Sequence, residues 1–181
     1  AAVARLGIEN GFLNNDKVKI KLPGILEQAK PLLKMTGRGQ QLDDLVVAMN
    51  RAAESAVPMA KPLLLDAVKS MSVTDAKNIL SGGDTSVTDF FARKTRTPLG
   101  EQFLPIVTKA TEKVALADKF NAVAGKAAKL GLLKGDDANI QRYVTGKSLD
   151  GLYLIIGEEE RKIRKDPLGT GSAILRKVFG G

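Results

Sequence analysis

The stretch Ser148-Leu149-Asp150-Gly151-Leu152-Tyr153-Leu154-Ile155-Ile156-Gly157-Glu158-Glu159-Glu160-Arg161-Lys162-Ile163-Arg164-Lys165 decides the fold. Its first half is apolar on nearly every side, as expected of a helix threading the middle of a bundle. Its second half offers Glu158 to Lys162 and Glu160 to Arg164 at i,i+4, the favourable order for helical ion pairs. A central helix of this kind needs other helices around it. The remaining sequence supplies them, because alternating strand patterns are almost absent and aromatic residues make up only 4% of the chain.

Working outward, Lys17-Val18-Lys19-Ile20-Lys21-Leu22 is the one strictly alternating run, and without a partner it reads as an extended connector. It follows a short first helix that Asn10-Gly11 should stop. Pro23 opens a second helix, which Gly37 and Gly39 end. From Leu42, the spacing Leu42, Leu45, Val46, Met49, Ala53, Ala56 is helical, with Asp43, Asp44, Asn50, Arg51 and Glu54 opposite. Pro58 and Pro62 should kink or break that segment before it continues to Met71. Ser72 with Asp75 makes a shortened capping box, and Ser86 with Asp89 repeats the signal. Thr97-Pro98 reads as a fresh helix start, and Pro105 as a bend. Further helices are expected over 118–130, 138–145, 148–165 and 172–179, with Pro167 and Gly169 as punctuation. The whole, residues 1–181, is expected to be one all-α domain of eight to ten helices, several bent at proline. The string Ala-Lys-Pro-Leu-Leu occurs at 29–33 and 60–64, but two copies with unlike flanks make no repeat array.

The chain of 181 residues contains no His, no Cys and no Trp. Histidine-based triads, thiol nucleophiles and Cys/His zinc sites are therefore excluded. Only carboxylates, Lys, Tyr, Ser/Thr and backbone amides remain for chemistry. The net charge of +8 is uneven: residues 91–181 carry 17 basic against 10 acidic side chains, whereas residues 1–90 carry 11 against 10. A basic half suits an anionic partner, although lysines also simply keep proteins soluble. The purely apolar run Leu152 to Ile156, which no other exceeds, is far short of the roughly 20 residues of a membrane-spanning helix. The start Ala1-Ala2-Val3 fits a processed N-terminus, and the lack of cysteine suits either cytoplasm or periplasm.

Several constellations are candidates for a site. Asn50, Arg51 and Glu54 form a polar cluster; burial would raise the pKa of Glu54 and suit it to general-base work. The plainer reading is a solvated ion pair with Arg51. Asp150 and Glu158 are the other carboxylates an enzyme would have to use. Phe90-Phe91 followed by Arg93, Lys94 and Arg96 resembles a single-strand nucleic-acid platform. Both rings fall on the apolar stripe with Val87, however, so only a small basic patch is left and nucleic acid is not the expected partner. Lys147, in Gly146-Lys147-Ser148, echoes a phosphate loop without its upstream glycine. Tyr143 and Tyr153 complete the candidates for holding an anionic or apolar ligand. Three adjacent glutamates point in different directions on a helix, so neither a metal nor a cofactor is expected.

Several strings together resemble one bacterial family. They are Gly11-Phe12-Leu13-Asn14-Asn15, Met49-Asn50-Arg51-Ala52-Ala53-Glu54, Ala60-Lys61-Pro62 and Asp75-Ala76-Lys77-Asn78-Ile79-Leu80, followed by Tyr143-Val144-Thr145, Asp150-Gly151-Leu152, Glu158-Glu159-Glu160, Ile163-Arg164 and Val178-Phe179-Gly180. The family is domain of unknown function (DUF) 4197, and the resemblance spans nearly the whole chain. It implies an all-helical protein carrying a signal peptide or lipoprotein signal, located in the periplasm or envelope of Gram-negative bacteria. It carries over no catalytic residues. The chain departs from the family pattern at Gly146 and Gly157, where a charged residue and Ala are expected. The function expected is that of a non-enzymatic envelope binding or interaction protein with a helical groove for an apolar or anionic ligand. A carboxylate-dependent enzyme and a self-assembling structural protein are the alternatives.

Overall fold

A computed structural model describes residues 1–131 and 137–166, with backbone alone for residues 123 and 126–128. The described residues are all-helical and contain no strand. The helices are α1 (Ala2–Leu6), α2 (Gly24–Met35), α3 (Gly39–Ala56), α4 (Ala60–Lys69), α5 (Val73–Ser81), α6 (Ser86–Thr111), α7 (Ala115–Lys129) and α8 (Ile140–Lys165), with a 3₁₀ turn at Val57–Met59. The helix expected over 172–179 and the punctuation by Pro167 and Gly169 lie outside the described residues.

The core forms where α8, α6 and α3 pack together. From α8 come Val144, Leu149, Leu152 and Ile155, from α6 Phe90, Leu99, Phe103 and Val107, and from α3 Leu42, Leu45 and Met49, all buried. Each such side chain contributes about 1.5–3 kcal/mol by leaving water. The central helix is thus where the sequence put it, but it is not enclosed on every side. Leu154 is 41% exposed, and Ile156 is only partly buried.

Two pairs of expected helices are fused. Pro98 does not open a new helix but lies inside α6, as does Pro105. Each removes one backbone hydrogen bond, toward the carbonyls of Lys94 and Glu101. Both of those residues are exposed, so water can take the freed carbonyls, while Leu99, Phe103 and Val107 keep the helix on the core. Likewise, 138–145 and 148–165 form one helix, α8, running through Gly146. At Pro58 the expected break is real: a 3₁₀ turn separates α3 from α4.

The connector matches its pattern in burial but is not extended throughout: Lys17 and Val18 lie in a turn, where the Val18 and Lys19 amides donate to the Asn15 carbonyl at 3.0 and 2.8 Å. Val18, Ile20 and Leu22 are buried, while Lys17 and Lys21 are exposed. No neighbouring strand supports it. Instead, Asn50 on α3 accepts from the Ile20 amide and donates to the Ile20 carbonyl, both at 2.9 Å. One side-chain amide thereby replaces a strand partner. The capping box at Ser72 and Asp75 is present in full, but Ser86 and Asp89 make none; Thr85 occupies the N-cap of α6 without a side-chain cap.

The glycine that matters for packing is Gly151. A β-carbon there would lie 2.7 Å from Phe12 Cε1 and 3.2 Å from Val18 Cβ, and Phe12 is fully buried. By contrast, Gly146 faces open space, and a β-carbon at Gly157 would meet Thr88 at an ordinary 3.4 Å. Gly151→Ala should therefore destabilise the fold by about 1–3 kcal/mol through overpacking. Gly146→Ala should stabilise it by up to about 1 kcal/mol through helix propensity. Urea denaturation of the two variants checks both signs.

Candidate functional site

The polar residues singled out by sequence fall into two separate places. On α3, Glu54 is buried, and so is Asn50; neither belongs to the solvent face on which the helical pattern puts them. Glu54 Oε1 accepts from the amides of Phe12 and Leu13 at 3.0 and 3.1 Å, while Oε2 meets Arg51 Nη1 at 2.6 Å. Arg51 also reaches Glu9 Oε1 and Asn10 Oδ1, each at 3.1 Å. The cluster is thus a clamp on the turn after α1, where Asn10 adopts a left-handed φ of 68°. The ion pair with Arg51 exists, with its carboxylate buried and its guanidinium partly exposed. Burial pushes the Glu54 pKa up, yet the hydrogen bonds from Leu13, Arg51 and Phe12 outweigh it and hold the carboxyl below its ordinary value. That is opposite to the tuning a general base at neutral pH requires.

Across α6 and α8, Arg96 meets Asp150 at 2.6 Å, and Lys147 lies 4.0 Å from the same carboxylate. Arg96 sits 5.9 Å from the Tyr153 ring centre, and Lys147 lies 5.8 Å from that of Tyr143. Tyr153 shares a 2.8 Å hydrogen bond with Thr95, and Tyr143 donates to the Lys21 carbonyl at 3.0 Å. These contacts link helices at a half-exposed surface, where an ion pair is worth about 0–1 kcal/mol. Arg93 and Lys94 are exposed on α6 and help hold Asp75 below its usual range, behind the larger effect of Ser72. Phe90 is core; Phe91 stacks edge-on against it at 5.6 Å and is only partly buried.

The three glutamates of α8 diverge. Glu158 binds Lys17 rather than the expected Lys162, and Arg5 lies 3.8 Å away. Glu159 pairs with Lys162 at 3.0 Å and with Arg5 at 3.6 Å. Glu160 pairs with Arg164 at 2.9 Å, as expected, and does more. Its two oxygens accept from the amides of Val87 and Thr88, each at 2.9 Å, and from the Thr88 hydroxyl at 2.7 Å. Glu160 is the cap that α6 lacks locally. Burial raises its pKa, but these bonds together lower it below 4.5. Among the described residues no three acidic groups converge as metal ligands would.

None of Asn50, Arg51, Glu54, Arg93, Lys94, Arg96, Lys147, Tyr143 and Tyr153 lines an open groove of about 1120 Å³ among the described residues. Its walls are one face of α4 (Lys61, Leu64, Leu65, Val68), the last turns of α8 (Ile156, Glu159, Glu160, Ile163, Arg164), and parts of α1, α5 and the start of α6. Leu65, Val68, Leu80 and Ile8 are left 50%, 48%, 74% and 59% exposed there. Sequence reading passed over these residues. The available signal was Leu63-Leu64-Leu65 with Val68, an apolar arc wider than one core contact needs. Tyr143 alone of the candidates borders a smaller pocket of about 310 Å³, beside Phe120 and Asp137.

The two buried clamps set the acid response. Glu54 and Glu160 both titrate lower in the folded chain than unfolded, so their stabilisation is complete above about pH 5 and is lost as pH falls through the lowered values. Glu160→Ala leaves two helix amides and Arg164 without their carboxylate and should cost about 3–5 kcal/mol at pH 7. Its penalty should shrink as the pH falls through the lowered pKa of wild-type Glu160 and the carboxylate is protonated. Denaturant titrations of both proteins across pH 3–7 measure this; a penalty independent of pH would contradict it.

No curated protein and no solved structure matches the chain. A family does, over residues 1–180, and its description is that of a protein of unknown function. The chain belongs to the DUF4197 family.

Proposed function

We propose that this chain is a non-enzymatic binding protein whose groove between α1, α4, α5, α6 and α8 takes an apolar ligand. The groove itself carries the reading. Ligand sites are typically concave and mostly apolar, about 300–1,000 Å³, with few polar groups; this one is of that order, at about 1120 Å³. A contiguous, half-exposed apolar surface is costly to leave in water and marks an interaction site. The enzyme alternative has less support, because Glu54 and Glu160 are held by backbone amides and Asp150 and Glu158 by cations. An envelope location is part of the same proposal and rests on the family resemblance; among the described residues no helix is long and apolar enough to cross a membrane.

The test is fluorescence titration with N-phenyl-1-naphthylamine, a neutral apolar probe. Saturable, blue-shifted binding is expected. Leu65→Glu combined with Val68→Glu should weaken it at least about tenfold by charging the wall. Both positions are about half exposed, so the variant should unfold close to the wild-type temperature. Unchanged probe binding by the double variant would remove the groove as the site.

A further inference from the structure

The groove contains an electrostatic asymmetry that points to the kind of apolar ligand. Four charged residues line it: Lys61, Glu159, Glu160 and Arg164. Three are engaged. Glu159 has Lys162 and Arg5, while Glu160 has Arg164 and the α6 amides. The Arg164 guanidinium is shared among Glu160, the Ser86 hydroxyl and the Ile79 carbonyl. Lys61 is different. It is exposed, and among the described residues no carboxylate lies within ion-pair distance of it. Among the charged side chains that line the groove, Lys61 is therefore the one without a counter-charge.

Lys61 also sits in the first turn of α4, at the N-terminal end of the wall that this helix gives the groove. Leu64, Leu65 and Val68 follow it on the same face of α4, so the wall runs about 10 Å from Lys61 to Val68 at 1.5 Å per residue. The fit is a linear molecule with an apolar tail along α4 and one negative charge at the Lys61 end. Resting on the reading that the groove is the ligand site, we infer that its ligand is a long-chain fatty carboxylate, with Lys61 holding the head and Leu64, Leu65 and Val68 the chain. A neutral hydrocarbon would leave Lys61 without a counter-charge.

Displacement of N-phenyl-1-naphthylamine separates the possibilities. Laurate should compete at least about tenfold better than 1-dodecanol, which has the same chain and no charge. Lys61→Gln should bring laurate down to the level of the alcohol and leave the alcohol unchanged; Lys61 is exposed, so folding should be unaffected. Equal competition by laurate and dodecanol in the wild type, or laurate binding insensitive to Lys61→Gln, overturns the head-group assignment while leaving the groove as an apolar site. Tighter displacement by lysophosphatidylglycerol than by laurate overturns the fatty-carboxylate assignment in favour of a phospholipid. A gain in probe affinity on Ile174→Asp with Phe179→Asp, with Lys61→Gln silent, makes the chain's own C-terminal segment the occupant and overturns the inference. No probe binding at all sinks the groove reading itself.

Discussion

The carboxylate of Glu160 is the point on which the arrangement of α8, α6 and the groove depends. A helix N-terminus presents backbone amides with no partner inside the helix. In α6 the local residues do not supply one, since Thr85 makes no side-chain cap. Glu160 supplies it from 72 residues further along the chain, and its negative charge also suits the positive end of the helix dipole. Arg164 then neutralises the carboxylate and ties in the end of α5 through the Ile79 carbonyl. The Glu160–Arg164 pair thereby ties together the start of α6, the end of α8 and the end of α5. Those three helix ends shape one side of the groove.

The same device appears on α3. Glu54 holds two amides of the turn after α1, and Asn50 holds the connector by both of its backbone groups at Ile20. With no cysteine to staple the irregular N-terminal segment, three polar side chains within little more than one turn of α3 do so: Asn50, Arg51 and Glu54. Buried carboxylates used this way are fully committed, which weakens the argument for catalysis at those positions.

Much of this was legible in the sequence, and what was not shares one physical cause. Period-two alternation revealed the burial of Val18, Ile20 and Leu22 though not the turn at Lys17 and Val18, and the apolar content of 148–156 revealed the central helix, because both are local patterns. Ser72 and Asp75 were readable as a cap for the same reason. Glu160 and Glu54 were not readable as caps, because their amide partners lie 72 and 42 residues away. Pro98 misled because its local meaning, a helix start, was overridden by burial of Leu99 and Phe103. The groove escaped notice because an apolar residue facing a cavity looks, in sequence, like one facing the core. Gly151 was passed over in favour of Gly146 and Gly157; only the position of Phe12 distinguishes them.

The ties between the first residues and α8 have a consequence for how the chain acquires its shape. Lys17 meets Glu158 across 141 positions, and the Phe12 ring lies against Gly151. The N-terminal segment therefore cannot reach its final surroundings until α8 exists, however early it is made. Contacts so distant in sequence carry a large closure entropy and slow the search. Until then Phe12, Val18 and Ile20 have no place on the α8 side to bury, and that interval is when the chain is most exposed to self-association. Folding from the middle outward, with the first twenty residues laid down last as a strap over α3 and α8, is the order this topology favours.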